Sequence, residues 1–331
     1  MHETSDPRAD LKSDEPILSV FDCPYLRPCG NLGDLLGPVI LAAMCGRRVR
    51  RGSFQSMRRR LVTIGTIAQR LSLGTSDLWG TGVAGLSHPF ELSNGFRRRR
   101  FTRLVPHALR GPFSAALLRE AGYGEPLGFG DPAMLLPLIW PRPAGQATYE
   151  LGVIPHISEF IASTTDSRLD QEFRRYDISE QQRSSIRIIN PWTDKSARAI
   201  RARIEEIWSC KRILSTSLHG MVIAEAYGMP AAHFDFHAGH SGYVQIETKA
   251  ALDHRVRDFW AGMGHDSALV YRTERHLRTD WDRAMRFLDS EWSPRTLCTE
   301  SLIASFPENY GRLSTNNFPA SLDDLESRLN W

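Results

Sequence analysis

Short apolar stretches alternate with segments whose apolar residues recur every three or four positions along most of this chain. Residues 16–21, 61–66 and 77–82 read as brief buried strands, and Arg103-Leu104-Val105 continues toward Leu109-Arg110-Gly111. Residues 35–44 form an apolar helix between the first two. The segment opened by Pro112 and closed near Gly122 has proline at its first position and glycine at its end, as helices do. Proline and glycine then thicken at Pro137, Pro141, Pro143 and Gly145, which marks a linker. Beyond it the alternation restarts, with strands at 150–156, 185–191, 213–214 and 231–235 and helices at 196–208 and 218–227. Everything after 235 reads as mostly helical, with a long helix over 280–288. Strand and helix in repeated succession predict parallel sheets, hence an α/β chain of two Rossmann-like domains facing a central cleft. The expected boundaries are a disordered lead over 1–15, domains over 16–145 and 146–290, and a C-terminal extension over 291–331 that packs back on the first domain.

The pattern also locates the chemistry, because ligands of such sheets bind at the carboxyl ends of the strands. The residues expected there are Asn31, Asp34, Arg110, Asp131, His156, Asn190 and His219. Gly33 removes a side-chain obstacle beside Asn31 and Asp34, and Gly82 ends the third strand. The most informative unit is Ser215-Thr216-Ser217-Leu218-His219-Gly220, which follows a buried Ile213-Leu214 and leads into a helix stopped by Gly228 and Pro230. Ser217 is a good N-cap, and His219 falls in the first helical turn. That arrangement aims free N–H groups and a positive dipole end at an anion, with a titratable imidazole beside it.

Composition narrows the classes without choosing one. The 331 residues are 41% hydrophobic and 24% charged, ordinary for a globular chain. No apolar run approaches the ~20 residues of a membrane span. The five cysteines are scattered and form no Cys-x-x-Cys pair, which removes zinc-ribbon and thioredoxin-type readings and fits a reducing cytoplasm. Neither a Walker glycine motif nor a Gly-x-Ser-x-Gly elbow occurs. His233, His237 and His240 surround Asp235, but their spacing matches no common zinc signature, so no metal is assigned and His237 is placed in an anionic-substrate pocket. A net charge of +3 is too small to imply nucleic acid. The arginines are nonetheless clumped at Arg47–Arg51, Arg58–Arg60 and Arg97–Arg100, which suits peripheral contact with an anionic membrane leaflet.

An ordered series of segments resembles the polysaccharide pyruvyl transferase family. It runs from Gly30-Asn31-Leu32-Gly33-Asp34 through Trp79-Gly80-Thr81-Gly82, Leu109-Arg110-Gly111-Pro112 and Gly130-Asp131-Pro132 to Gly152-Val153-Ile154-Pro155-His156 and Ser217-Leu218-His219-Gly220. The resemblance implies a fold like that of the GT-B glycosyltransferases, with acceptor on the first domain and donor on the second. It implies phosphoenolpyruvate as co-substrate with no other cofactor, and an oligosaccharide acceptor, lipid-linked or free, belonging to a bacterial exopolysaccharide or cell-surface glycan. The implied product is a pyruvate ketal, made in the cytoplasm or at the inner face of its membrane. His219 and Arg110 match positions that such enzymes use on the donor. Asp34, His156 and Glu225 are alternative bases, and Asn31, Gly33, Gly82, Asp131, Asn190, Ser215, Thr216, Ser217, Leu218, Gly220 and His237 are expected around the substrates. One departure matters: many members carry arginine at or beside the turn where this chain has Ser217-Leu218, so phosphate binding must draw on backbone N–H groups, hydroxyls and an arginine from elsewhere. Two other classes stay open at this point, a glycosyltransferase using a nucleotide-sugar and a non-catalytic binder of anionic polymers.

Overall fold

The computed structural model of the protein describes residues 17–19, 28–84, 96–145, 147–248 and 252–331. The expected lead over 1–15 and the outer residues of the first expected strand lie outside them.

In the first half, β1 (Ile17–Ser19) and β2 (Cys29–Asn31) precede helix α1 (Leu32–Cys45), followed by β3 (Val49–Arg51), β4 (Arg60–Val62), β5 (Gly74–Thr81) and β6 (Thr102–Leu109). Helix α2 (Pro112–Glu120), β7 (Gly128–Phe129) and the short α3 (Leu136–Ile139) complete it. The second half runs β8 (Leu151–Ile154), β9 (Ile186–Ile188), β10 (Trp192–Asp194), α4 (Ala197–Trp208), β11 (Ile213–Ser215), α5 (Leu218–Ala226) and β12 (Ala231–Asp235). It continues through β13 (Gly242–Gln245), α6 (His254–Gly262), β14 (Ser267–Arg272) and α7 (Trp281–Glu291). The chain ends with α8 (Glu300–Ala304), α9 (Leu322–Ser327) and β15 (Leu329–Asn330).

These strands make two large sheets, and the chain is a mixed α/β protein. The first, ordered β15-β3-β1-β4-β5-β6-β7, is parallel throughout. The second, ordered β13-β14-β12-β11-β8-β9, is parallel except where β13 runs against β14. Strands β13 and β14 correct the mostly helical reading of the chain beyond residue 235. Strand β13 is an edge strand whose outward residues are polar or half-exposed, so it offers no apolar run to read. A two-stranded antiparallel ribbon, β2 with β10, ties the halves together.

Helix α1 lies in the middle of this arrangement. Every residue from Leu32 to Met44 is buried, which requires an all-round apolar sequence rather than an amphipathic one. It packs in one continuous core with Ile200, Ile204 and Ile207 of α4, Val222 and Ile223 of α5, and Leu325 of α9. The last residues of the chain close over the first sheet. Strand β15 pairs with β3, and Trp79 Nε1 donates to the carbonyl of Leu302 at 2.8 Å while stacking edge-on against Phe306.

Beneath that closure sits Asp77, fully buried in β5. It accepts from Arg59 at 2.6 and 2.8 Å and from Tyr310 Oη at 3.0 Å, and it meets His107 Nε2 at 2.9 Å. Burial pushes its carboxyl up, but the bonds from Arg59, His107 and Tyr310 prevail and hold it down at about 2. Because the folded value lies below the unfolded one, this stabilisation is complete above about pH 4 and disappears as pH falls toward 2. Replacing Asp77→Asn is expected to lower stability at pH 7 by about 2 kcal/mol and to flatten the pH dependence across that window. Urea unfolding at pH 7 and pH 3 measures both.

Candidate functional site

The carboxyl ends of the first sheet converge on one cleft, as parallel-strand geometry requires. Thr66 follows β4, Gly82 follows β5, Arg110 follows β6 and Asp131 follows β7. From the other half, His156 follows β8 and Ser217, Leu218 and His219 follow β11. The cleft has a volume of about 180 Å³ and is lined by Asn31, Asp34, Thr66, Arg70, Arg110, His156, Ser217, Leu218, His219 and Arg255, with Gly65, Ile67 and Ile157. Both halves therefore contribute. Its described lining carries three arginines and two histidines against one carboxylate, Asp34, so it favours an anion.

Two helix starts open into this space. Helix α1 begins after Asn31 and α5 after Ser217, and neither cap side chain accepts from a first-turn N–H; Asn31 Nδ2 instead donates to Asp34 Oδ2 at 3.1 Å. Ser217 thus occupies the expected N-cap position without closing it. The first-turn N–H groups at both sites are left to other partners.

His219 stands between these two helix starts. Its Nε2 lies 3.3 Å from Asp131 Oδ2, while the other oxygen of Asp131 caps the following turn through the N–H of Ala133 at 3.0 Å. Asp131 is thereby anchored at one oxygen and aims the other at the imidazole. On the opposite side, a Cβ built on Gly33 would come within 2.0 Å of His219 Nδ1. Only glycine lets the first turn of α1 approach the ring so closely.

Arg110 is the second fixed point. Its Nε donates to Asp258 Oδ2 at 3.1 Å and its Nη1 to Thr66 Oγ1 at 2.7 Å. Asp258, at the heart of α6, also accepts from Ser114 N at 3.0 Å and Ser114 Oγ at 2.6 Å. Both ends of the ion pair are buried, one in each half of the chain. A Cβ on Gly82 would lie 2.5 Å from the guanidinium, so glycine there makes its room. The arginine expected to grip a ligand freely is instead largely committed to Asp258 and Thr66.

Two arginines not singled out from the sequence also line the cleft. Arg255 binds Asp253 through Nε and Nη2 and reaches His156 Nε2 with Nη1 at 3.4 Å. Arg70 lines the first-half wall. Burial opposes ionisation of Asp253, but the Arg255 charge and bonds overcome it and hold the carboxyl below its ordinary range. Asp253 caps α6 through Arg255 N at 2.8 Å, so an N-cap reading at 253 would have put Arg255 in a first helical turn.

His156 sits in the cleft wall, and burial together with the neighbouring Arg255 charge pushes it down to about 3. Its imidazole is neutral at physiological pH. The backbone below it is fixed by Glu159 Oε2, which accepts from His156 N, Tyr176 Oη and Thr216 Oγ1, each at 2.8 Å.

The remaining expected site residues take supporting places. Thr216 is engaged in that Glu159 cluster, and Ser215 Oγ donates within the turn to Ser217 O at 2.6 Å. A Cβ on Gly220 would meet Ser215 Oγ at 2.3 Å, so these two shape the turn together. Asn190 caps Trp192 N and donates to the carbonyls of Thr164 and Thr165. His237 bonds Asp235 Oδ1 through Nδ1 at 2.7 Å and is half-exposed outside the cleft lining. His233 is buried in β12. Glu225 is also outside the lining: burial pushes it up to about 8, and it accepts from Trp292 Nε1 at 3.2 Å.

The buried pair is open to a direct test. Asp258→Ala strands a buried guanidinium, and a loss of about 3–5 kcal/mol in urea unfolding is expected. Arg110→Met with Asp258→Leu should recover most of that loss, because the uncompensated charge is gone. Gly33→Ala, which drives a methyl into the imidazole, should reduce catalytic turnover at least about tenfold while far-UV circular dichroism stays unchanged.

Residues 78–237, which include the end of β5, Arg110, Asp131, His156 and the whole Ser217–Gly220 turn, match the family model described as polysaccharide pyruvyl transferase. Among curated proteins, none matches the chain. No described helix is long and apolar enough to cross a membrane.

Proposed function

We propose that this chain, which belongs to the polysaccharide pyruvyl transferase family and is a pyruvyltransferase acting on polysaccharide, takes phosphoenolpyruvate as donor and closes a pyruvate ketal across two sugar hydroxyls. The observation that carries the reading is the pairing of two helix starts without side-chain caps around His219, in a cleft lined by Arg70, Arg110 and Arg255. A small donor with a phosphate and a carboxylate needs two anion sites within one molecule's length, and helix N-termini with arginines supply them.

These placements support the following reaction. A proton delivered to the donor methylene makes C2 electrophilic, and one sugar hydroxyl adds there with loss of its own proton. The C2–O bond to phosphate then breaks, inorganic phosphate leaves, and the second hydroxyl closes the ketal. His219 is the acid of this scheme. Asp131 Oδ2 stands 3.3 Å from its Nε2 as the partner of the imidazolium, and Gly33 packs against Nδ1. Asp34 is the base, being the carboxylate of the described lining. His156, held at about 3, is too weak a base for that task and instead presents a neutral hydrogen-bonding wall. Arg255 and Arg70 take the donor's anionic groups, and Arg110 positions Thr66 and adds its charge from below.

The acceptor is a sugar of a bacterial exopolysaccharide or cell-surface glycan, and no cofactor beyond the donor takes part. The family's usual arginine at the histidine turn is replaced in this reading by Arg255, reaching in from α6.

Incubation with phosphoenolpyruvate and a panel of glycans should yield phosphate and a product heavier by pyruvate less one water, read by mass spectrometry. His219→Gln should lower kcat by about 10²–10⁴-fold, and Arg255→Ala should chiefly raise KM for phosphoenolpyruvate. Tight binding of a nucleotide-sugar with no response to phosphoenolpyruvate in calorimetry would overturn the donor assignment.

A further inference from the structure

The amino ends of the first sheet lie on the edge opposite the cleft, and that edge is unusual. Met57 precedes β4, Leu73 precedes β5 and Phe101 precedes β6. These side chains are 72%, 38% and 69% exposed. Since β4, β5 and β6 are consecutive neighbours in the sheet and Gly74 is level with Thr102, the three form one row.

Arginines flank this row. Arg98, Arg99, Arg100 and Arg103 line a broad surface depression with Phe101, next to the start of β5. Arg58 stands beside Met57, and Arg48 precedes β3 further along the same edge. All three arginine clusters of the sequence thus send members to one rim. Asp77, close to this rim, is sunk in the sheet and bound by Arg59.

Two of the apolar residues are held out at a conformational cost. Leu73 and Phe101 have φ of 64° and 62°, the left-handed region that side chains rarely adopt. Glycine or asparagine would sit there more comfortably, yet the chain displays a leucine and a phenylalanine to solvent.

We infer that this rim is a peripheral docking surface for an anionic lipid bilayer. Exposed apolar side chains enter the boundary between headgroups and acyl chains, while the arginines around them meet the lipid phosphates. Neither signal alone gives stable attachment, and together they supply the two that it needs. The docked chain points its cleft away from the bilayer, at a height set by the eight residues of β5, about 26 Å.

Sedimentation of the full chain with vesicles tests this. Vesicles of phosphatidylcholine with roughly a third phosphatidylglycerol should carry the chain down at low salt, and pure phosphatidylcholine should not. Leu73→Gly with Phe101→Gly should cut partitioning about tenfold while leaving the unfolding midpoint unchanged or raised, because glycine relieves both backbones. Arg98→Ser with Arg100→Ser should cut it by a similar factor and weaken its salt dependence. The inference falls if the chain ignores anionic vesicles, binds neutral ones equally, or binds regardless of both pairs of substitutions. It also falls if the glycine pair instead dissolves a dimer seen by sedimentation velocity without lipid. Retention of duplex DNA that the serine pair abolishes, without vesicle binding, would likewise overturn it.

Discussion

The buried ion pair between Arg110 and Asp258 is the constraint on which the rest of the site depends. Two opposite charges leave water together, one from the end of β6 and one from α6, and each must find further polar partners to remain there. Thr66 and Ser114 provide them. A buried pair of this kind is weak evidence of net stability, but its geometry admits one arrangement. It fixes α6 against the start of α2, and α6 in turn carries Arg255 to the cleft wall.

Around that fixed point the cleft collects positive potential from several sources. Two helix starts, three arginines and two imidazoles share one small volume with a single described carboxylate. The groups differ in readiness. Arg110 is largely committed and His156 is held neutral by burial and by Arg255. His219 is positioned between Asp131 on one side and the absent side chain of Gly33 on the other.

Sheet polarity divides the first half into two working edges. In a parallel sheet every carboxyl end faces one way and every amino end the other, so chemistry and surface contact separate by a strand length without any further device. The residues after β4, β5, β6 and β7 build the cleft. Those before β4, β5 and β6 are apolar, basic and exposed, which gives the proposed lipid-facing rim its place in the fold.

The sequence by itself determined the elements and the chemistry they hold. The apolar runs gave the parallel strands, the all-apolar 35–44 segment gave the buried central helix, and the Ser217–Gly220 turn gave a histidine at an open helix start. Those signals are local, and local backbone geometry expresses them directly. Strand β13 escaped because an edge strand with a polar outer face has no apolar period to show. Asp258, Arg255 and the His219–Asp131 contact were decided by tertiary structure alone. Arg110 and Asp258 stand 148 residues apart, and no spacing rule joins two side chains whose distance is set by how two sheets come together. The arginine clusters were visible as runs, but only the parallel register brought members of all three, with three exposed hydrophobics, to one edge of one sheet.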